Sequence, residues 1–184
     1  MTVDIIKSLD YQIDRKGVLL ILWGWINFLH FLISYSLREM VLPFQVEDFL
    51  NLTSYTLIPI GLIITVVYLI KNRPLSGSGR VKTVTYIWVS LIITLVLINL
   101  VEANVLGKIN FEFQHPIFMV IIGSSISLTG RVLSYRSLMI GGLVFALLGG
   151  VASYFSLSQQ MMIESVGWVI AFLIPGYVIR FQNK

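Results

Sequence analysis

The chain has 184 residues, of which 57% are apolar and only 12% are charged, and its formal net charge is +4. A soluble domain carries about twice that share of charged residues, and a soluble fold of this size cannot hide so much apolar surface. The absence of cysteine excludes disulfide frameworks, thiolate metal sites and cysteine nucleophiles. The basic residues lie in short segments between apolar runs, so their excess indicates membrane topology and not nucleic-acid binding. Residues 1–184 are therefore predicted to form a single polytopic membrane domain.

Residues 1–16 are too polar to cross a bilayer and form the first predicted element. Val3, Ile6, Leu9 and Ile13 recur at spacings of three to four residues. This pattern predicts a short amphipathic segment that lies on the inner leaflet. The apolar run that follows is long and has no small-x-small cleavage site, so we expect it to be retained as a helix and not removed as a signal peptide.

Six apolar stretches approach the roughly 20 residues that a helix needs to cross about 30 Å of hydrocarbon. The fourth is the least apolar because it carries several serines and a threonine, whose hydroxyls can bond to carbonyls of their own helix. We therefore predict an all-α integral membrane protein with a bundle of six transmembrane helices. The predicted spans cover residues 17–37, 52–70, 84–105, 116–132, 138–157 and 163–181.

The placement of the basic residues predicts that both termini are cytoplasmic. With six spans and the N-terminus inside, only Arg38 and Lys108 of the 13 basic residues fall outside. The loops are short, so the positive-inside rule applies to them. Removing the fourth span would move two further arginines outside and spoil the pattern. The cytoplasmic set is Lys7, Arg15, Lys16, Lys71, Arg73, Arg80, Lys82, Arg131, Arg136, Arg180 and Lys184.

Small side chains on the fifth predicted helix indicate where helices pack closely. Gly142, Ala146 and Gly150 recur at four-residue steps, and Gly123 and Ser127 share that step on the fourth helix. Lipid offers no hydrophobic drive for helix association, so small residues that let two backbones approach are favoured at helix contacts. Because the predicted connections around the fifth helix are short, we expect helices four, five and six to form one antiparallel unit.

Polar residues within or beside the apolar stretches are candidate functional groups, because a polar side chain in hydrocarbon is costly without a partner. The first helix carries one polar stripe, formed by Trp23, Asn27, His30 and Ser34. We predict that His30 faces the bundle and bonds to Asn99 or Glu102, which are neighbours on one face of the third helix. The candidate polar pocket, in the outer half of the bundle, consists of Asn27, His30, Asn99, Glu102, His115 and Glu164.

Each of these residues also has a structural interpretation, which the sequence favours. Glu164, in the first turn of the predicted sixth helix, would face the positive end of the helix dipole. His115 would be a loop residue before a proline, and Glu102 would reach the headgroups. Asn27 and His30 would hydrogen-bond neighbouring helices. Two histidines and two carboxylates can hold zinc, but no metal-ligand or catalytic motif is present. We therefore expect no catalytic residue, metal or cofactor.

Several motifs carry a resemblance to known proteins. They are His-Pro-Ile-Phe (115–118), Gly123, Thr-Gly (129–130), Ser-Leu-Met-Ile-Gly-Gly (137–142) and Leu-Ile-Pro-Gly-Tyr-Val (173–178), with Leu-Trp-Gly-Trp (22–25) in the first helix. In these motifs the chain resembles a group of small uncharacterised integral membrane proteins of Bacteroidota. The resemblance covers about half of the chain and implies a bacterial inner membrane. It brings no established activity, so no functional residue is transferred.

Function is expected to be non-enzymatic, as a membrane partner or sensor. The loops are uniformly short, so little is displayed to soluble partners, and the expected partners are the lipid bilayer, a membrane protein or a second copy of the chain. The alternative is a small transporter or channel with an outward-facing polar pocket, which would need a path lined by Asn27, His30, Asn99 and the serines of the fourth helix. An intramembrane enzyme ranks third because no catalytic constellation stands out.

Overall fold

The computed structural model describes residues 2–71 and 79–182, and for residues 2–16, 69, 79 and 81 it describes the backbone alone. Over these residues the chain is helical apart from short connections, and no strand occurs in them. A π-helical turn, Val169–Leu173, joins the last two helices. The helices are α1 (Thr2–Glu39), α2 (Phe44–Lys71), α3 (Gly79–Leu106), α4 (Phe111–Leu133), α5 (Arg136–Ala152), α6 (Leu157–Trp168) and α7 (Ile174–Gln182).

Helix length and apolarity confirm a multi-pass helical membrane protein. Five helical stretches of the described chain are long and apolar enough to cross a bilayer. The sixth apolar helix, α5, has 17 residues, and at 1.5 Å per residue it is about 26 Å long, slightly less than the roughly 30 Å of a hydrocarbon core. The five stretches are Gly17–Glu39, Phe44–Tyr68, Lys82–Leu106, Phe111–Leu133 and Leu157–Gln182.

The N-terminal segment is helical, as predicted, but it is not a separate element. α1 runs without a break from Thr2 to Glu39, so residues 2–16 continue directly into the first apolar stretch. Met1 and the side chains of residues 2–16 lie outside the described part of the chain, so the prediction of an amphipathic face stays a prediction.

Polar caps begin α4 and α6 earlier than the apolar pattern predicted. α4 begins at Phe111 and not at 116, because the side chain of Asn110 accepts hydrogen bonds from the first-turn amides. α5 ends at Ala152, and α6 begins at Leu157, six residues before the predicted start. A capping box formed by Ser156 and Gln159 fixes this beginning. The connection between α5 and α6 is therefore residues 153–156.

Helices α4 and α5 pack backbone to backbone through small residues, as predicted. A Cβ added to Gly123 would lie 2.5 Å from the Ala146 nitrogen, and one added to Gly142 would collide with the Ser127 nitrogen. Gly150 is the exception, because a Cβ there would meet no atom within 4 Å. In an α-helix seven residues return to within about 20° of the same face, whereas eight residues drift by about 80°. The packed stripe therefore ends at Gly149, where a Cβ would lie 2.8 Å from the Pro116 oxygen.

The helices form a compact centre with two peripheral members. α4, α5 and α6 all contact one another, which confirms the predicted unit, and α1 packs on α6 and α7. α2 packs on α1, and α3 packs on α4, but α2 and α3 do not pack on each other in the described part of the chain. The buried core between the central helices consists of Met119, Ile126, Leu138, Phe145, Ala152, Trp168, Ala171 and Phe172.

The π-helical turn Val169–Leu173 lies beside Pro175. Pro175 has no N–H for the carbonyl of Ala171, so the helical hydrogen-bond ladder is already interrupted there. The turn is held tightly, because a Cβ added to Gly141 of α5 would lie 2.7 Å from the Ile170 oxygen. The irregularity is thus part of the packed centre.

Candidate functional site

Gln114 and His115, adjacent near the start of α4, reach in different directions. Gln114 Nε2 donates to Asn99 Oδ1 at 2.7 Å and to Glu102 Oε2 at 3.3 Å, both on α3. His115 Nδ1 hydrogen-bonds Glu164 Oε2 of α6 at 2.7 Å. Successive helical residues point about 100° apart, so one turn of α4 connects the peripheral helix α3 to the central helix α6.

Glu164 lies well inside α6 and is buried, with 3% of its surface exposed. Its other carboxylate oxygen accepts a hydrogen bond from Trp168 Nε1 at 3.4 Å. The expected position in the first turn is wrong because α6 begins at Leu157. His115 is likewise inside α4 and is not a loop residue. The two side chains form a hydrogen bond that becomes an ion pair when the imidazole is protonated.

Glu102 is buried between α3 and α4, with 4% of its surface exposed. Its Oε2 is held by Gln114, whereas its Oε1 has no hydrogen-bond partner among the described residues. Asn99 also donates to the carbonyl of Leu95 in its own helix. These contacts make Glu102, Asn99 and Gln114 one polar cluster at the α3–α4 contact.

His30 bonds to a neighbouring helix as predicted, but the predicted partner is wrong. Its Nδ1 lies 3.0 Å from the Ser54 hydroxyl and 3.2 Å from the Ser54 carbonyl oxygen, both on α2. About two turns toward the start of α1, Trp23 Nε1 donates to Thr65 Oγ1 at 3.0 Å. Two residues of the polar stripe, Trp23 and His30, therefore bond to α2, whereas α3 packs on α4.

The six predicted pocket residues lie in separate places. Asn27 is buried and donates to the Trp23 carbonyl of its own helix at 2.8 Å, so it joins neither cluster. His30 lies at the α1–α2 contact, Asn99 and Glu102 lie at the α3–α4 contact, and His115 lies with Glu164 between α4 and α6.

A cavity of about 310 Å³ brings two of these residues together with others that the sequence did not single out. It lies between α1 and α4, at the end of the bundle where α1 ends and α4 begins, and we call it the Arg38 cavity. The Phe31 ring lies between the two imidazoles, with its centroid 5.1 Å from that of His30 and 5.7 Å from that of His115. The lining residues are His30, Phe31, Ser34, Arg38, Phe111, Gln114, His115, Phe118 and Met161.

The charge of the Arg38 cavity favours an anionic ligand. Arg38 is exposed, and its guanidinium makes no hydrogen bond or ion pair with another residue of the described chain. Among the described residues no acidic side chain lines the cavity. Glu102 and Glu164 are buried and hydrogen-bond Gln114 and His115, which do line it. A guanidinium presents paired N–H groups that match a carboxylate or phosphate. Within the described residues, no group of three or more His, Cys, Asp or Glu can hold a metal ion.

A second cavity, of about 330 Å³, lies between α3 and α4. Its polar groups are hydroxyls, and it has no charged side chain in its lining. It is nearer the opposite end of the bundle, since Thr83 follows the start of α3 and Leu128 precedes the end of α4. We call it the hydroxyl cavity, and it is lined by Thr83, Tyr86, Ile87, Ser90, Leu91, Thr94, Ile121, Ser125 and Leu128.

Three residues of the site escaped the sequence reasoning. Gln114 precedes the fourth span predicted at 116–132. Its place directly before His115 was the available signal. Arg38 was counted only as an outside charge. Ser54 gave no signal, because one serine in an apolar helix is unremarkable by sequence.

Comparisons with known proteins leave the site to be interpreted from its own chemistry. No protein-family description, no curated protein and no solved structure matches the chain. The functional inference therefore rests on the lining residues, the hydrogen bonds and the charge of the Arg38 cavity.

Proposed function

We propose that this chain is a non-enzymatic protein of a bacterial inner membrane that acts as a sensor or membrane partner by binding a small anionic group in the Arg38 cavity. The observation that carries the proposal is the guanidinium of Arg38, which has no partner among the described residues and lies in a cavity whose described lining presents His30 and His115 and no carboxylate. At about 310 Å³ the cavity is at the lower end of the roughly 300–1,000 Å³ of small-molecule sites.

The proposed topology has six spans and two cytoplasmic termini, which makes the Arg38 cavity outward-facing. The charge distribution supports it, because 11 of the 13 basic residues then lie inside. Helix α5 is short, but the bilayer accommodates a short span by local thinning at modest cost. The resemblance to inner-membrane proteins of Bacteroidota supports the same location.

An enzymatic role has less support from the geometry. The Ser54 hydroxyl lies 3.0 Å from His30 Nδ1, which is the distance of a nucleophile–base pair. That same Nδ1 also lies 3.2 Å from the Ser54 carbonyl oxygen, and among the described residues no carboxylate hydrogen-bonds the imidazole of His30. The pair therefore fits a helix–helix contact better than an activated nucleophile.

A small transporter is the second candidate, and the hydroxyl cavity favours it. Gln114 of the Arg38 cavity and Ser125 of the hydroxyl cavity are 11 residues apart on α4, which corresponds to about 16 Å along the helix axis. The two cavities thus lie toward opposite ends of one helix. Phe118, Ile121 and Ile122 occupy the helix between them, so a transport path would require these side chains to move.

Anion binding tests the proposal directly. Purified protein in detergent is titrated with inorganic phosphate, sulfate and succinate at constant ionic strength, and the unfolding temperature is followed by intrinsic fluorescence. We expect a saturable rise with at least one anion, because a ligand that binds only the folded state stabilises it by about 2.7 kcal/mol at 100 times its Kd.

The control separates the cavity from general charge effects. Arg38→Gln is expected to abolish the rise, whereas Arg131→Gln, the same change on the exposed surface near the far end of α4, is expected to preserve it. Loss of the response in both variants, or in neither, would contradict the proposal. Flux of the bound anion across proteoliposomes would favour the transporter.

A further inference from the structure

Two chemically different sets of residues line the Arg38 cavity, and we call them its polar wall and its apolar wall. The polar wall contains Arg38, His30 and His115. The other wall is apolar and largely aromatic, and its members are Phe31, Phe111, Phe118 and Met161. A free inorganic anion would contact only the first wall and would leave the second exposed to water. The lining therefore fits a ligand that joins an anionic group to an apolar body.

Besides its end at the exposed Arg38, the cavity has a lateral approach between helices. Met161 of α6 lies on the side of the cavity toward the packed centre. On the other side α2 packs on α1 and α3 packs on α4, and these two helices do not pack on each other in the described part of the chain. The space between α1 and α4 is therefore reached laterally, between α2 and α3.

The polar wall spans the depth at which a lipid headgroup meets its acyl chains. Arg38 is in the last turn of α1, and His30 is eight residues earlier, which is about 12 Å deeper along the helix. Phe118 lies one turn deeper than Gln114 on α4. An amphipathic ligand would thus place its charged end near Arg38 and its apolar end along Phe118, in the direction of the hydrocarbon core.

We infer that the ligand of the Arg38 cavity is the phosphodiester of a phospholipid, which enters from the adjoining leaflet between α2 and α3. This inference rests on the proposed anion site and names its ligand. The Arg38 guanidinium donates two parallel hydrogen bonds to the phosphate oxygens. The His115 ring is held in place by Glu164, and the His30 ring is held by Ser54. The remaining ring nitrogens are then available to the headgroup, while Phe118 packs on the glycerol and the first acyl methylenes.

The test compares ligands that carry one or both of the two features. Full-length protein in detergent is titrated with short-chain phosphatidylglycerol, with inorganic phosphate and with short-chain diacylglycerol, and each Kd is measured from the shift in unfolding temperature. We expect phosphatidylglycerol to bind at least about tenfold more tightly than either of the others, because only it satisfies both walls.

Two pairs of variants assign the binding to the walls. Arg38→Gln is expected to weaken the binding of phosphatidylglycerol by about tenfold or more, and Arg131→Gln is expected to leave it unchanged. Phe118→Ala is expected to weaken the binding of phosphatidylglycerol, while the Kd for phosphate stays within about twofold of that of the unsubstituted protein. Phe113→Ala, which removes an exposed ring of α4 outside the cavity, is the matched control and is expected to change neither.

The outcomes separate this inference from the proposed function. If phosphate binds in an Arg38-dependent way and phosphatidylglycerol binds no more tightly than phosphate, the lipid inference is overturned and the anion site still stands. Equal binding of diacylglycerol and phosphatidylglycerol would also overturn it, since the phosphate would then be irrelevant. Binding of none of the anionic ligands would overturn both. Size-exclusion profiles of all four variants exclude misfolding as the cause of a lost response.

Discussion

Replacing Gly142 with alanine is expected to destabilise the protein, whereas the same replacement at Gly150 is expected to leave it unchanged or more stable. Both glycines lie on α5, and both substitutions add one methyl group. The methyl at position 142 would collide with the backbone nitrogen of Ser127 and lie 2.9 Å from its Cα, whereas the methyl at position 150 meets nothing within 4 Å.

The expected magnitude follows from what must move. The atoms that oppose the methyl at position 142 belong to the backbone of α4, so no side-chain rotation relieves the overlap. Ordinary contact requires α4 and α5 to separate by about 0.5–1 Å, which forfeits a quarter to a half of the dispersion energy of nearby pairs. Overpacking of this kind costs about 1–3 kcal/mol. At position 150 only the better helix propensity of alanine remains, which contributes up to about 1 kcal/mol in the opposite direction.

Thermal unfolding in detergent measures the difference. For a chain of this size each kcal/mol shifts the unfolding temperature by about 2–4 °C, so a cost of about 1–3 kcal/mol is expected to lower it by about 2–12 °C in Gly142→Ala. Gly150→Ala is expected to raise it or leave it within about 2 °C. Equal effects of the two substitutions would refute the packing of α4 on α5 through Gly142.

Two further predictions address the buried pair and the topology. Glu164→Ala removes the acceptor of both His115 and Trp168 and is expected to cost about 2–3 kcal/mol, because a half-buried and a buried donor lose their partner. Glu164→Gln, which retains an acceptor oxygen, should cost less. A loss no larger than that of exposed Glu112→Ala in a thermal melt would contradict the role of the pair. Reporter fusions after Ser78 and at Lys184 are expected to be cytoplasmic, and a fusion near Gln45 to be exported; an exported reporter at Lys184 would disprove six spans with both termini inside.

The helices of the fold were predictable because long apolar runs determine them. The ends of the helices were not, because they depend on single capping residues. Asn110 begins α4 and Ser156 begins α6 within segments whose polarity reads as loop. Because the predicted start of α6 was too late for the same reason, Glu164 was predicted in the first turn, although it lies well inside the helix.

The partners of the polar residues were less predictable than their burial. Depth in the bilayer follows from position along a helix, and on that basis Asn99 and Glu102 were matched to His30. Which helices are neighbours depends on packing around the bundle, and the sequence gave no measure of it. The hydrogen-bond partner of His30 is therefore Ser54, and not Asn99 or Glu102.

Accessibility of Ser34 tests the central claim, an outward-facing cavity that binds an anionic group, most directly. The chain has no cysteine, so Ser34→Cys introduces a single thiol in the lining of the Arg38 cavity. In intact spheroplasts a membrane-impermeant maleimide is expected to label this thiol, and the same reagent is expected to label Ser137→Cys, at the other end of the bundle, only after permeabilisation. In the purified protein, the short-chain phosphatidylglycerol or anion that binds is expected to slow the labelling of Ser34→Cys. Labelling of Ser34→Cys only after permeabilisation, or at a rate that no ligand changes, would contradict the account.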